Sequence, residues 1–240
     1  MGEDRSREGA QSCGEVSETR KRHQFYGRRK GHALRRHHLS LVDELLPRLR
    51  IDLAAPLAGS GPEVWLEIGF GGGEHLAQRA ALAPQVSFIG AEPFVNGVAK
   101  LLALIEDRAL ANIRIHDGDA RYLLEALPDA SLERVYLLYP DPWPKTRHHQ
   151  RRFVSSETLA QFHRILRPGG LFLFASDIAD YVAWTRAHVA QHGGFMEEPS
   201  EAGGFEHWIQ TRYEAKARRE GRSSAYLTFR ALPVSGTGER

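Results

Sequence analysis

Short apolar runs alternate along the chain with longer stretches in which apolar residues recur every three or four positions. The runs at residues 64–68, 86–91, 113–116, 134–139 and 171–175 read as buried strands. The stretches at 74–82, 95–108, 120–126, 156–166 and 178–191 read as amphipathic helices. Strands alternating with helices of this length predict an α/β fold with a doubly wound, mostly parallel sheet. A further run, 225–230, has no helix after it. A closing antiparallel strand, paired with the 194–198 region, is therefore expected, for a seven-stranded sheet in all. Ahead of the first strand, Leu39, Leu41, Val42, Leu45, Leu46 and Leu49 keep helical spacing, broken at Pro47. Arg167-Pro168-Gly169-Gly170 reads as a turn that stops one helix and launches the next strand.

Ligands of such a sheet sit outside the carboxyl ends of its strands. Five strands end close to five acids: Glu67, Glu92, Asp119, Asp141 and Asp177. Asp119 and Asp177 are good candidates for helix N-caps, but capping alone does not need all five. The first strand also runs into glycines, as Leu66-Glu67-Ile68-Gly69-Phe70-Gly71-Gly72-Gly73-Glu74. Gly69 and Gly71 allow a tight strand-to-helix turn and let a ligand lie against bare backbone, facing the free N–H groups of the next helix. A dinucleotide fingerprint would put its third small residue where Glu74 stands. The acid ahead of the turn and that missing residue shift the expectation from NAD to S-adenosylmethionine, whose ammonium group suits a nearby carboxylate. Glu92 is positioned to accept from two ribose hydroxyls, which would serve NAD equally. Asp119 is positioned to accept from the adenine amine.

Composition narrows the class. With 240 residues, 42% of them hydrophobic, one packed domain over residues 37–240 is expected, preceded by a polar, flexible arm over 1–36. No apolar run approaches the length of a membrane span. The acidic start resembles neither a signal nor a transit peptide. A single cysteine, Cys13, excludes an internal disulfide and any cysteine-based metal site. The adjacent His148 and His149 cannot both face one metal from a helix, so no metal is expected and RNA-facing histidines are the better reading. A reducing cytoplasm fits. The net charge of +2 says nothing about partners, but its distribution does. Residues 20–36 carry eight Lys/Arg and no acid, with Phe25 and Tyr26 among them. Residues 145–152 add four more, and Lys216, Arg218, Arg219 and Arg222 form a third group. Three basic clusters on a nearly neutral chain predict a side that faces a polyanion.

After the fourth strand comes Tyr139-Pro140-Asp141-Pro142-Trp143-Pro144-Lys145. Alternating prolines restrict their neighbours and predict extended conformations for Tyr139, Asp141 and Trp143. An acid, an indole and a lysine are thus presented from a stiff loop at the ligand edge. Trp65 and Trp184 fall in strand and helix patterns and are expected in the core.

Leu66-Glu67-Ile68-Gly69-Phe70-Gly71, the 139–145 loop and the following Arg147-His148-His149-Gln150-Arg151-Arg152 resemble the bacterial tRNA (guanine-N7)-methyltransferase family. So do Tyr26-Gly27-Arg28-Arg29-Lys30-Gly31 and Thr211-Arg212-Tyr213-Glu214. The resemblance runs in order over about residues 25–231. It implies a class I, Rossmann-like methyltransferase fold, S-adenosylmethionine as donor, and guanine 46 in the variable loop of tRNA as acceptor. It further implies that Glu67, Gly69, Gly71, Glu92, Asp119 and Asp141 line the donor site. Asp141 would be catalytic, and Lys145, Asp177, Thr211, Arg212, Tyr213 and Glu214 would meet the substrate. No obligatory protein partner is implied. Pro93, Thr146 and Gln150 depart from the family pattern, and residues 37–40 lack an expected glutamine, changes that bear on RNA contacts.

The chemistry agrees on independent grounds. Guanine N7 already carries a free lone pair, so its methylation needs no general base. It needs alignment with the sulfonium methyl and a negative group where ring charge develops. Asp141 suits that role, Trp143 or Tyr139 suits stacking on the base, and residues 145–152 suit the phosphates. Three rivals remain at this point: a methyltransferase for another base or an amine, a dinucleotide oxidoreductase, and an idle RNA-binding module.

Overall fold

The computed structural model describes residues 23–199, 204–206, 208 and 212–233, with Arg212 and Tyr213 described by their backbone alone. Cys13, the acidic start and Thr211 lie outside the described residues. The strands are β1 (Val64–Ile68), β2 (Ser87–Ala91), β3 (Ile113–His116), β4 (Leu132–Leu138), β5 (Leu166–Ser176), β6 (Phe195–Glu198) and β7 (Ala225–Ala231). They form one sheet in the order β3-β2-β1-β4-β5-β7-β6. β1 to β5 pair in parallel, and β7 runs antiparallel to both β5 and β6. The expected closing hairpin therefore forms, with β6 as the outer strand.

Helices cover both faces. On one side lie α1 (Arg36–Glu44), α2 (Leu46–Leu49), α3 (Glu74–Leu82) and α4 (Val95–Asp107). On the other lie α5 (Ala120–Ala126), α6 (Ser156–Ile165) and α7 (Ala179–His192), while α8 (Arg212–Arg219) precedes β7. β1 is buried along its whole length because both faces are covered, with Leu66 and Ile68 in one core and Trp65 in the other. Trp184 is only partly buried and donates from its indole to the Val154 carbonyl, 2.8 Å away. Pro47 starts α2 in its first turn, where its missing N–H costs nothing.

Two local expectations change. Residues 167–170 are not a turn ahead of the strand but a bulge within it. Leu166 already pairs with Leu132, and the register then jumps so that Arg134 faces Leu171. Gly169, at φ 83°, lets the backbone fold out and return. Secondly, Tyr139 and Trp143 are not extended: they lie at φ 49° and 44°. Non-glycine residues at positive φ are uncommon and strained, and persist where surrounding contacts over-determine them.

Candidate active site

A cavity of about 820 Å³ opens where β1, β2 and β4 end. Its wall includes Gly69, Gly71, Glu92, Asp119 and Asp141, with Trp143 at the rim and residues 24–28 across the top. The turn after β1 holds Gly69, Gly71 and Gly73 at φ 72°, 58° and 77°. It is packed from the far side by Gly97 in the first turn of α4. A Cβ there would lie 2.2 Å from the Gly71 carbonyl oxygen, so only glycine lets helix and turn approach.

Glu92 follows β2 and is 8% exposed. Its two oxygens accept from the backbone N–H of Gly71 and of Phe94, each at 2.9 Å. The carboxylate is thus aimed before any ligand arrives. Burial raises its pKa, the two N–H donors oppose the rise, and the charges of Asp141 and Glu67 add to it.

Asp119 caps α5 by accepting from the Arg121 backbone N–H at 3.0 Å. The Arg121 guanidinium also forks onto it, at 3.0 Å from Nε and 2.5 Å from Nη2. Burial pushes this carboxyl up, but Arg121 outweighs it and holds Asp119 below the usual range. Arg121 also donates to the Gln24 carbonyl at 2.9 Å, tying the acid to the segment above the cavity.

That segment, residues 23–32, runs across the open end of the sheet. His23 meets Glu125 at 2.6 Å. The Arg29 carbonyl accepts from the Val95 N–H at 3.0 Å. Asn96 accepts from the Gly31 N–H and donates to the His32 carbonyl, at 2.8 and 2.7 Å. The strap therefore occupies one backbone N–H at the start of α4 that a helix leaves open, that of Val95, and is clasped beside it by the Asn96 side chain.

The proline loop is pinned at both ends. The Tyr139 hydroxyl donates to Ser224 Oγ at 2.8 Å and lies 3.4 Å from the Tyr226 hydroxyl, so this ring faces the β7 side. Burial raises its pKa. Arg152, 3% exposed, donates from Nε to the Pro142 carbonyl at 2.9 Å and pairs with Asp180. Its guanidinium lies over Tyr181 and Trp184, at 4.9 and 5.1 Å. The Tyr181 hydroxyl accepts from the Phe153 N–H, so the chain beyond the loop is fixed too. Arg152 is therefore a loop anchor and not one of the phosphate-facing cations expected of this run. His149 likewise turns inward, 3.1 Å from Arg152, while His148 packs on Trp143. Asp141 itself is exposed and accepts no hydrogen bond among the described residues.

Glu67, Lys145, Asp177 and Glu214 do not line this cavity. Glu67 is buried beneath the glycine turn, 2.7 Å from His75 Nδ1. Asp177 does not cap α7: it pairs with Arg222 at 2.7 Å, and the neighbouring Ser176 hydroxyl accepts from the Ile178 N–H. Lys145 is exposed at the foot of the 3₁₀ turn Thr146–Arg151. Glu214 is 1% exposed and accepts from Trp208 Nε1 and from Arg218, both at 2.7 Å. Arg121, His75 and Gly97 were not singled out by sequence, and Arg152 reads there as a phosphate contact. Arg121 alone had a local signal, a cation two residues beyond a cap acid.

A family model described as "Putative methyltransferase" matches residues 62–227. The tRNA (guanine-N(7)-)-methyltransferase of Agrobacterium fabrum is 54% identical over 217 residues, covering 85% of this chain and 94% of the relative. That of Rhizobium meliloti is 54% identical over 218 residues, covering 86% and 94%. Among solved structures, the 16S rRNA methyltransferase KamB superposes with a TM-score of 0.52 at 18% identity, over 75% of this chain and 91% of its own. The aminoglycoside resistance methyltransferase NpmB1 gives 0.51 at 18%, over 79% and 93%. At that identity the likeness concerns the fold, which is that of class I methyltransferases. Among the described residues, no helix is long and apolar enough to cross a membrane.

Proposed function

Since the chain belongs to the tRNA (guanine-N7)-methyltransferase family, we propose that it moves a methyl group from S-adenosylmethionine to N7 of guanine 46 in the variable loop of tRNA. The observation that carries the reading is one juxtaposition. An exposed carboxylate without a partner among the described residues, Asp141, borders the same cavity as Glu92 and the glycine turn.

The residues fit the donor. Each Glu92 oxygen spends one acceptor direction on a backbone N–H and keeps another for a ribose hydroxyl. Gly69 and Gly71 leave backbone bare on the cavity side, and Asp119 stands at the next strand end. Glu67 holds the turn from below through His75. The donor supplies a methyl carbon activated by a sulfonium.

The guanine N7 lone pair forms the new N–C bond as the C–S bond breaks, and sulfur keeps that electron pair. Positive charge passes from sulfur to the guanine ring, and no proton needs to move. Asp141, free to face the ring, stabilises that charge as it appears. Its loop is held by Arg152, so the carboxylate is positioned before substrate binds. Lys145 and Arg147, both exposed, take up phosphates beside it. Asp177 and the Thr211-Arg212-Tyr213-Glu214 motif are assigned to the RNA as well, with the buried Glu214 acting through the helix it holds and not by touching the substrate.

Mass spectrometry of nuclease fragments tests the reading. The purified chain alone, given donor and an unmodified tRNA transcript, should yield 7-methylguanine at position 46. Label on another base, or none without a second protein, would refute it.

A further inference from the structure

Two aromatic rings form a corner at the cavity mouth. Tyr26, from the strap, and Trp143, from the proline loop, meet edge to face with centroids 6.1 Å apart and planes at 73°. The Arg151 guanidinium lies against both, 4.6 Å from the Tyr26 centroid and 5.0 Å from that of Trp143. All three residues line the cavity that Asp141 borders. The corner is therefore shaped around a planar cation.

Arg151 fills it imperfectly. Its Nε is buried with no hydrogen-bond partner among the described residues, an arrangement that wastes a charged donor. The ring faces hold this guanidinium, and another planar cation would be held in the same way.

We propose that the corner is the seat of the methylated guanine ring, and that Arg151 occupies it until the base arrives. This rests on guanine N7 being the acceptor. Before transfer the guanine is neutral and gains little from displacing a cation. As the N–C bond forms and the C–S bond breaks, the ring itself becomes a planar cation. The corner then binds the transition state and product better than the substrate, which is the condition for accelerating the chemical step. Tyr26 and Trp143 thereby join Asp141 as catalytic residues, and the displaced Arg151 is released to meet a phosphate.

The test compares Kd for one tRNA transcript before and after methylation by the wild-type enzyme, with S-adenosylhomocysteine bound. Wild type should hold the methylated transcript about three- to thirty-fold more tightly, the range a cation–π contact supplies. Tyr26→Leu and Trp143→Leu should each bring that ratio close to one, and Tyr26→Phe should preserve it. The two rings come from different segments, neither in a hydrophobic core, so either leucine variant suffices if the other misfolds. Equal Kd values in wild type would overturn the seat. So would leucine variants that weaken both transcripts equally, the pattern expected if the rings merely hold the strap shut. Wild-type enzyme that leaves no 7-methylguanine in the transcript would instead overturn the acceptor assignment beneath the proposal.

Discussion

His75 Nδ1 lies 2.7 Å from a Glu67 carboxylate oxygen, and both side chains are buried under the glycine turn. The His75 ring also packs on Trp208, with centroids 5.3 Å apart, and Trp208 donates to Glu214. Two acids far apart in sequence, one ahead of the glycine turn and one in the late Thr211–Glu214 motif, are thus joined through two rings. His75→Leu should leave Glu67 buried without its partner. Urea unfolding should show a loss of about 1.5–3 kcal/mol, the range for a hydrogen bond to a charged group.

Gly97→Ala should act on the donor site without touching the cavity. The added methyl meets the Gly71 carbonyl oxygen, so helix and turn must part. About 1–3 kcal/mol of stability should be lost to overpacking. Calorimetry should find weaker S-adenosylhomocysteine binding than in an equally destabilised core variant such as Ile105→Val.

Asp119 sets an acid limit on stability. Its folded pKa is depressed, so the stability it adds is present above the ordinary carboxylate pKa and is lost as pH falls through the folded value. Asp119→Ala should cost about 1–2 kcal/mol at neutral pH through the lost cap. The gap from wild type should narrow as the pH is lowered toward 3, a change that urea midpoints across that range would follow.

Glu92 has the opposite sign. Its folded pKa is raised, so its contribution to stability is present below the ordinary carboxylate pKa and is lost as pH rises through the folded value. The charged carboxylate is a cost that the empty protein bears at neutral pH. Donor binding uses that charged form. S-adenosylhomocysteine affinity should therefore begin to fall, on acidification, above the ~4.3 of an ordinary glutamate. Glu92→Gln should bind more weakly at neutral pH and lose this dependence.

Much of the fold was legible because hydrophobic period reports burial directly. β1, β3, α3 and α5 begin and end where the pattern put them. The errors fall where backbone geometry depends on distant contacts. Gly169 folds a bulge into β5 because Arg230 holds its carbonyl and Arg167 holds Pro62, pairings from remote segments. Tyr139 and Trp143 take positive φ because Ser224, Tyr26 and Arg151 hold their side chains. At the site, acids at strand ends could be named from topology alone. Which of them reach the cavity depends on partners. Glu67 and Glu214 are engaged by His75, Trp208 and Arg218, and of these only Arg218, four residues beyond Glu214 on α8, was signalled by local spacing.

Single-turnover methylation of an unmodified tRNA transcript by Asp141→Ala tests the central claim most directly. Asp141 is exposed on a loop outside both cores, so thermal stability should be unchanged. The rate should fall roughly 10²-fold or more, as for loss of a preorganised electrostatic group. A folded Asp141→Ala enzyme that methylates at the wild-type single-turnover rate would contradict the account.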